Sequence, residues 1–148
     1  MSQENAGVSG EARNGAPRLI VRPLSPHLQV WRFHQTMLGS ILHRITGVGL
    51  YIGAALVVAW LAALAAGPDA YETFAGLMGS PLGLLIWFGF SVSAFYHLAA
   101  GVRHLIWDLG RGLNIKNANF LTTASFVFTI VATIAFWAWL LSSGKVSL

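Results

Sequence analysis

An all-α membrane protein with three transmembrane helices, N-terminus inside and C-terminus outside, is the architecture this sequence predicts. Three observations carry the prediction. Of 148 residues, 55% are hydrophobic and only 9% are charged, with a mean hydropathy of +0.64; a soluble domain carries roughly 25% charged residues. Three uncharged stretches each reach the roughly 20 apolar residues that cross a bilayer as a helix. The basic residues gather on one side of those stretches.

Residues 1–17 are rich in Gly, Ser and Asn and hold Glu4 and Glu11. They read as a flexible N-terminal arm, too polar to pack. No apolar run follows Met1, so no secretory signal is expected, and the acidic residues argue against a transit peptide. Residues 18–36, RLIVRPLSPHLQVWRFHQT, mix apolar and basic residues. Pro23 and Pro26 prevent a regular helix there. Leu28, Val30, Trp31 and Phe33 suit the headgroup layer while Arg32 stays in water, so an interfacial segment is expected. The three-helix transmembrane domain then occupies 37–148, with its first helix beginning near Thr36.

The first span is expected from Ile45 to about Ala66, between Arg44 and Asp69. Gly67-Pro68-Asp69 ends it, and Ser80-Pro81 is a start signal for the next. The second span runs from Pro81 to about Val102, and the third from about Phe120 to Leu141. Trp60, Trp87, Trp107, Trp137 and Trp139 fall mostly near span ends, where an aromatic belt forms. Arg13, Arg18, Arg22, Arg32 and Arg44 precede the first span, and Arg103, Arg111 and Lys116 follow the second; only Lys145 of the nine basic residues follows the third. The positive-inside rule assigns the crowded side to the cytoplasm. Nothing supplies the polar faces that three helices of a soluble protein would need, and no internal repeat is visible.

The formal charge of +4 reflects this topology. Nucleic-acid binding would need clustered Lys and Arg, which here are spread and mostly single. There is no Cys, which excludes disulfides and thiolate metal sites in this chain.

His97 is the ionisable residue placed inside a span. It lies six residues before Arg103, about 9 Å deeper at 1.5 Å per residue, and an intramembrane ionisable group is a functional candidate by default. Its neighbours at three and four residues are Ser93, Ala94, Ala100 and Gly101, all small. Such a cleared surface suits a flat macrocycle docked on an imidazole. It equally suits close helix packing, with the imidazole hydrogen-bonded across the interface. His104 follows two turns later on roughly the same face, beside Arg103. Together they form a donor pair for an anionic group, or in Arg103's case a simple positive-inside anchor. Asp108 is placed to pair with His104. At the start of the first helix, Ser40, His43 and Arg44 share a face, with Gly39, Gly47, Gly49 and Gly53 around them. A hydroxyl, an imidazole and a guanidinium at the membrane edge suit a quinone head. They also suit snorkelling side chains at an interfacial turn.

Two segments resemble the cytochrome b556 subunit family of succinate dehydrogenase. One is Arg22-Pro23-Leu24-Ser25-Pro26-His27-Leu28 followed by Ser40-Ile41-Leu42-His43-Arg44-Ile45-Thr46-Gly47. The other is His97-x-x-x-Gly101-Val102-Arg103-His104-Leu105-x-Trp107-Asp108-x-Gly110. With the three-span layout the resemblance covers roughly residues 18–142. It implies half of a multi-helix anchor bundle, completed by a second small membrane-anchor subunit, that docks an iron–sulfur subunit carrying a flavoprotein subunit. It implies haem b with His97 as axial ligand to the iron, His43, Arg103 and His104 in the haem propionate environment, and Ser40 and Arg44 in the pocket of the substrate ubiquinone. A six-coordinate haem needs two axial ligands and this chain offers one His at membrane depth, so the second is expected from the partner subunit. The anchor of a quinol:fumarate reductase shares the architecture and differs in electron direction. A non-redox membrane scaffold or transporter module is the alternative from another class, but the repeats and broken helices typical of transporters are missing. The short acidic arm favours a bacterial cytoplasmic membrane over a mitochondrial inner membrane.

Overall fold

In the computed structural model the described residues are 23–144. The expected arm at 1–17, residues 18–22 and Lys145 lie outside them. The chain divides into two units, Met1–Arg32 and Phe33–Leu148. In the first, the described residues are exposed and without regular structure except for one 3-10 turn, His27–Val30. Gln29 N–H donates to Pro26 O at 3.2 Å, and Pro23 and Pro26 keep the turn from growing into a regular helix.

The second unit is all helix: α1 (Gln35–Ala66), α2 (Pro68–Gly79), α3 (Pro81–Asp108) and α4 (Ile115–Ser142). α1, α3 and α4 are long and apolar enough to cross a membrane. At 28 to 32 residues they extend roughly 42–48 Å, beyond a hydrocarbon core of about 30 Å. The helices therefore outrun the apolar stretches that mark them in the sequence. α3 continues past Val102 through Arg103, His104 and Asp108 until Gly110, at φ +70°, ends it. Gly110 N–H donates to Trp107 O and Arg111 N–H to Ile106 O, the closing bonds of a glycine-terminated helix. α4 starts at Ile115 because Asn114 Oδ1 accepts from Asn117 N–H at 2.8 Å, a side-chain N-cap.

α2 was not expected. Hydropathy singles out spans, and this segment is too short and too mixed to be one. Its start signals were nevertheless present: Gly67 at φ +113°, Pro68 at the first helical position and Asp69 in the first turn. Each favours a new helix after the break. Ser80 then caps α3 by accepting from Gly83 N–H at 3.2 Å.

α3 packs against both α1 and α4, α1 also meets α4, and α2 contacts α1 and α3. The glycines of α1 make this approach possible. A Cβ on Gly49 would sit 2.8 Å from Ser93 Oγ, and one on Gly53 would overlap the Phe90 ring. The bundle interior is small and hydroxylic: α4 buries Thr122, Ser125, Thr129 and Thr133. The hydroxyls of Thr122, Ser125 and Thr129 donate to carbonyls four residues back. Large apolar residues such as Phe120, Ile130 and Val131 point outward. Lipid is as apolar as Leu, so small side chains that allow close contact take the inside.

Candidate functional site

The start of α1, the end of α3 and the start of α4 come together at one end of the bundle. Gln35 Nε2 donates to Thr123 Oγ1 at 3.3 Å, and Tyr96 Oη donates to Gly39 O at 2.9 Å. The candidate residues of both sequence segments are at this end.

His43 and His97 stack with ring centroids 4.1 Å apart and planes at 25°. His104 lies against His43 at 5.1 Å. Two turns of α3 bring His97 and His104 to one side, and His43 reaches them from α1. His104 also meets Trp107 edge-on at 5.2 Å, and the Arg103 guanidinium lies 4.9 Å over the Trp107 ring. A continuous series therefore runs from His97 through His43, His104 and Trp107 to Arg103.

Thr46 completes the first of these contacts. Its Oγ1 is 2.8 Å from Leu42 O, 3.0 Å from His43 O and 3.4 Å from His97 Nδ1. On the same edge of the ring, a Cβ on Gly47 would lie 3.3 Å from His97 Cε1. His97 Nε2 has no hydrogen-bond partner among the described residues and is not sealed from its surroundings.

Arg103 departs from one of its two sequence readings, the positive-inside anchor. As an anchor at the water boundary it would be exposed; it is 1% exposed. α3 turns it about 120° away from His97, into the space between α1 and α4. Nη1 donates to Thr122 Oγ1 at 3.0 Å, and a Cβ on Gly39 would come within 2.7 Å of Nη1. Nε and Nη2 are buried without a partner, as are His43 Nε2 and Trp107 Nε1. Each unmet buried donor costs about 1–3 kcal/mol, more when charged. Three obligate N–H donors, on Arg103 and Trp107, beside the His43 nitrogen at one end of a small bundle fit an anionic group supplied from outside this chain.

The cleared surface around His97 divides between its two readings. Ser93 packs against Gly49 and Ala100 is fully buried, so both serve helix packing. Ala94 lies with Trp87, Phe90 and Trp137 along a groove of about 400 Å³. Gly101 alone stays open: a Cβ there meets nothing within 4 Å. An accessible imidazole nitrogen, an open glycine one turn along and a set of unmet donors together suit a flat carboxylate-bearing macrocycle. The described residues hold no cluster of three or more His, Asp or Glu for a metal ion alone.

Ser40 and Arg44 share a face of α1, about 40° apart at 3.6 residues per turn. Ser40 is half-buried and Arg44 exposed. No ring contact or hydrogen bond joins them to the histidine series, and neither hydrogen-bonds to a described residue. Asp108 is exposed and makes no pair with His104. Thr46, Tyr96, Trp107 and Thr122 were not picked out as site residues. A signal existed for Thr46, three residues after His43, and for Trp107, three after His104. Tyr96 and Thr122 carry no local sign, because their partners Gly39 and Arg103 lie 57 and 19 residues away.

The family profile described as succinate dehydrogenase/fumarate reductase transmembrane subunit matches residues 19–136. The succinate dehydrogenase cytochrome b556 subunit of Paracoccus denitrificans is 40% identical over 120 residues, covering 78% of this chain and 92% of that protein. The cytochrome b556 subunit of Rickettsia felis is 37% identical over 116 residues, covering 78% and 90%. The mitochondrial cytochrome b560 subunit of Sus scrofa is 36% identical over 118 residues, covering 76% and 68%.

Proposed function

This chain belongs to the succinate dehydrogenase/fumarate reductase transmembrane subunit family, and we propose that it binds haem b and one side of a ubiquinone-reduction site. It is a multi-pass membrane subunit. The observation that carries the haem reading is the set of buried, unpartnered nitrogens on His43, Arg103 and Trp107, those of Arg103 and Trp107 obligate donors, beside a His97 whose Nε2 is unengaged. A cytochrome b name in its relatives supports the same group.

When bound, haem b supplies a one-electron redox centre. His97 Nε2 would hold its iron from this chain, and a further ligand would come from the other small membrane-anchor subunit. His43, His104 and Arg103 would hold its carboxylates, Arg103 through charge-assisted bonds of the Arg–carboxylate kind. Arg103 is held by a hydrogen bond to Thr122 and lies over the Trp107 ring. Replacing His97 with Ala in the assembled complex is expected to abolish the low-spin haem b spectrum. An unchanged reduced-minus-oxidised spectrum would remove the assignment.

Ser40 and Arg44 form this chain's part of the quinone pocket, completed by the iron–sulfur subunit and the second anchor. Reduction adds two electrons and two protons, so negative charge develops on the carbonyl oxygens. Donors already in place stabilise it best in a dry site. The Ser40 hydroxyl donates to a carbonyl and relays a proton. Arg44 stays protonated and acts through its charge. Electrons arrive from the flavoprotein through the iron–sulfur subunit, in the direction of succinate oxidation.

The site faces the cytoplasm of a bacterial inner membrane, with residues 18–36 in the headgroup layer and the N-terminus inside. The distribution of Arg and Lys supports this. Reporter fusions in the turn at Ser80 and after Lys145 are expected outside, and one at Arg111 inside. An inside signal at Lys145 would contradict an odd number of crossings.

A further inference from the structure

We infer that Thr46 is a positioning residue for His97: its hydroxyl oxygen accepts a hydrogen bond from His97 Nδ1–H and so holds the imidazole with Nε2 free to ligate. The inference rests on the haem reading above and goes beyond it, to a residue that touches no part of the haem.

The argument counts protons. A Thr hydroxyl has one hydrogen to donate and two lone pairs. Thr46 Oγ1 has its shortest contact, 2.8 Å, with Leu42 O, and a second at 3.0 Å with His43 O. Both are carbonyls and only accept, so the hydroxyl proton goes to one of them. The remaining contact, 3.4 Å to His97 Nδ1, is then filled by a proton on the nitrogen. A neutral imidazole carries one proton. With it on Nδ1, Nε2 has the bare lone pair that a metal requires. Ligating histidines generally fix their tautomer and ring angle through such a bond from the other nitrogen.

Three further features support the assignment. Thr46 is 9% exposed, so water has little access to its side chain. It is the one polar partner of His97 among the described residues. The ring is also confined: Gly47 borders the same edge, with room for no side chain at 3.3 Å from Cε1, and His43 stacks on one face. A half-turn of the ring would exchange Nδ1 for a carbon and lose the Thr46 bond. The hydroxyl thus selects one of two ring orientations that packing alone would permit.

A hydrogen bond donated by Nδ1 makes the imidazole a stronger electron donor. It favours the oxidised iron over the reduced iron and lowers the potential. Partners of this type typically change metal affinity or activity by about 10- to 100-fold. A tenfold loss of preference for the oxidised form raises a one-electron potential by about 59 mV.

The test uses Thr46→Ala and Thr46→Ser in the assembled membrane complex, two variants that differ by one oxygen. Redox titration of the haem b absorbance is expected to show the Ala variant raised by about 59 mV and the Ser variant at the wild-type value. If the Ala variant loses haem outright, a Ser variant that retains it at normal potential still supports the hydroxyl. Equal behaviour of the two variants, whether normal, shifted or haem-free, assigns Thr46 to packing and overturns the inference. His97→Ala is measured alongside: an intact haem spectrum there defeats the ligand assignment itself, whatever the Thr46 variants do.

Discussion

At one end of the bundle Trp137 Nε1 donates to Ser91 Oγ at 2.9 Å, and Ser91 Oγ donates on to Phe88 O at 2.8 Å. At the other end Trp107 Nε1 is buried with no partner, among Arg103 Nε, Arg103 Nη2 and His43 Nε2 in the same condition. Both ends bury an indole between α3 and its neighbours, and both lie in a chain that avoids charge. One end closes its hydrogen bonds within the chain. The other gathers donors and leaves them unmet, although each costs about 1–3 kcal/mol. Of the buried unpartnered side-chain atoms among the described residues, Thr133 Oγ1 alone lies away from that end. Native proteins rarely leave such groups without a reason. In the proposed function, the end with the unmet donors is the one that takes the haem and the quinone.

The largest expected effect lies at the dependent end. Ser40→Ala and Arg44→Leu should each slow quinone reduction by roughly tenfold to a hundredfold. That is the equivalent of losing a charge-assisted hydrogen bond of about 1.5–3 kcal/mol. Neither side chain hydrogen-bonds to a described residue, so the fold of this chain does not rest on them. Succinate oxidation by a dye that accepts electrons at the flavin should be unchanged. Equal loss of dye and quinone activities would mean failed assembly, and normal quinone kinetics would take both residues out of the pocket.

A smaller effect is expected at Gly101. A Cβ there meets nothing within 4 Å, and Gly101→Leu improves helix propensity by up to about 1 kcal/mol, so a haem defect points to what lies on that face in the complex. Haem content per complex is expected to fall several-fold while the subunit itself still inserts. Normal haem content would show that the macrocycle rests elsewhere, even with His97 as ligand. Gly49 provides the contrast: its face is filled by Ser93, and a side chain there should disturb the bundle before it disturbs the haem.

The three spans, their number and the shared face of His97 and His104 were legible because each rests on local signals, uncharged runs and a spacing of seven; that His43 joins them from α1 was implied only by the family resemblance. α2, at 12 residues, is too short to give the hydropathy signal of a span, although Pro68 and Asp69 mark its start. Arg103 shows the other limit. An Arg at the end of an apolar run is ordinarily a snorkelling anchor. What buries this one is Gly39 on α1 and Thr122 on α4, two residues that only packing brings to α3. The same holds for Ser93 and Ala100, small for reasons of helix contact, while Gly101 on the next position stays open. Periodicity says which residues share a face, and tertiary packing says what each face meets.

The smallest expected effect separates the two ends most directly. Trp137→Phe keeps the ring and deletes one donor whose partner, Ser91, is in this chain. Its cost of about 0.5–1.5 kcal/mol should appear as a lowered thermal midpoint of the purified complex, equally with haem bound and with haem depleted. Trp107→Phe deletes a donor that this chain does not use, and it retains a face for the Arg103 guanidinium, although Trp is the better partner. In the haem-depleted complex its loss should cost little, because removing an unmet buried donor offsets the weaker ring contact. In the loaded complex the same substitution should lower the midpoint and shift the haem b band, since the indole N–H then has an acceptor to lose. The informative quantity is the loaded-minus-depleted difference: near zero for Trp137→Phe, positive for Trp107→Phe. Equal differences for the two would mean that the unmet donors serve no bound group, and the contrast between the two ends would reduce to packing.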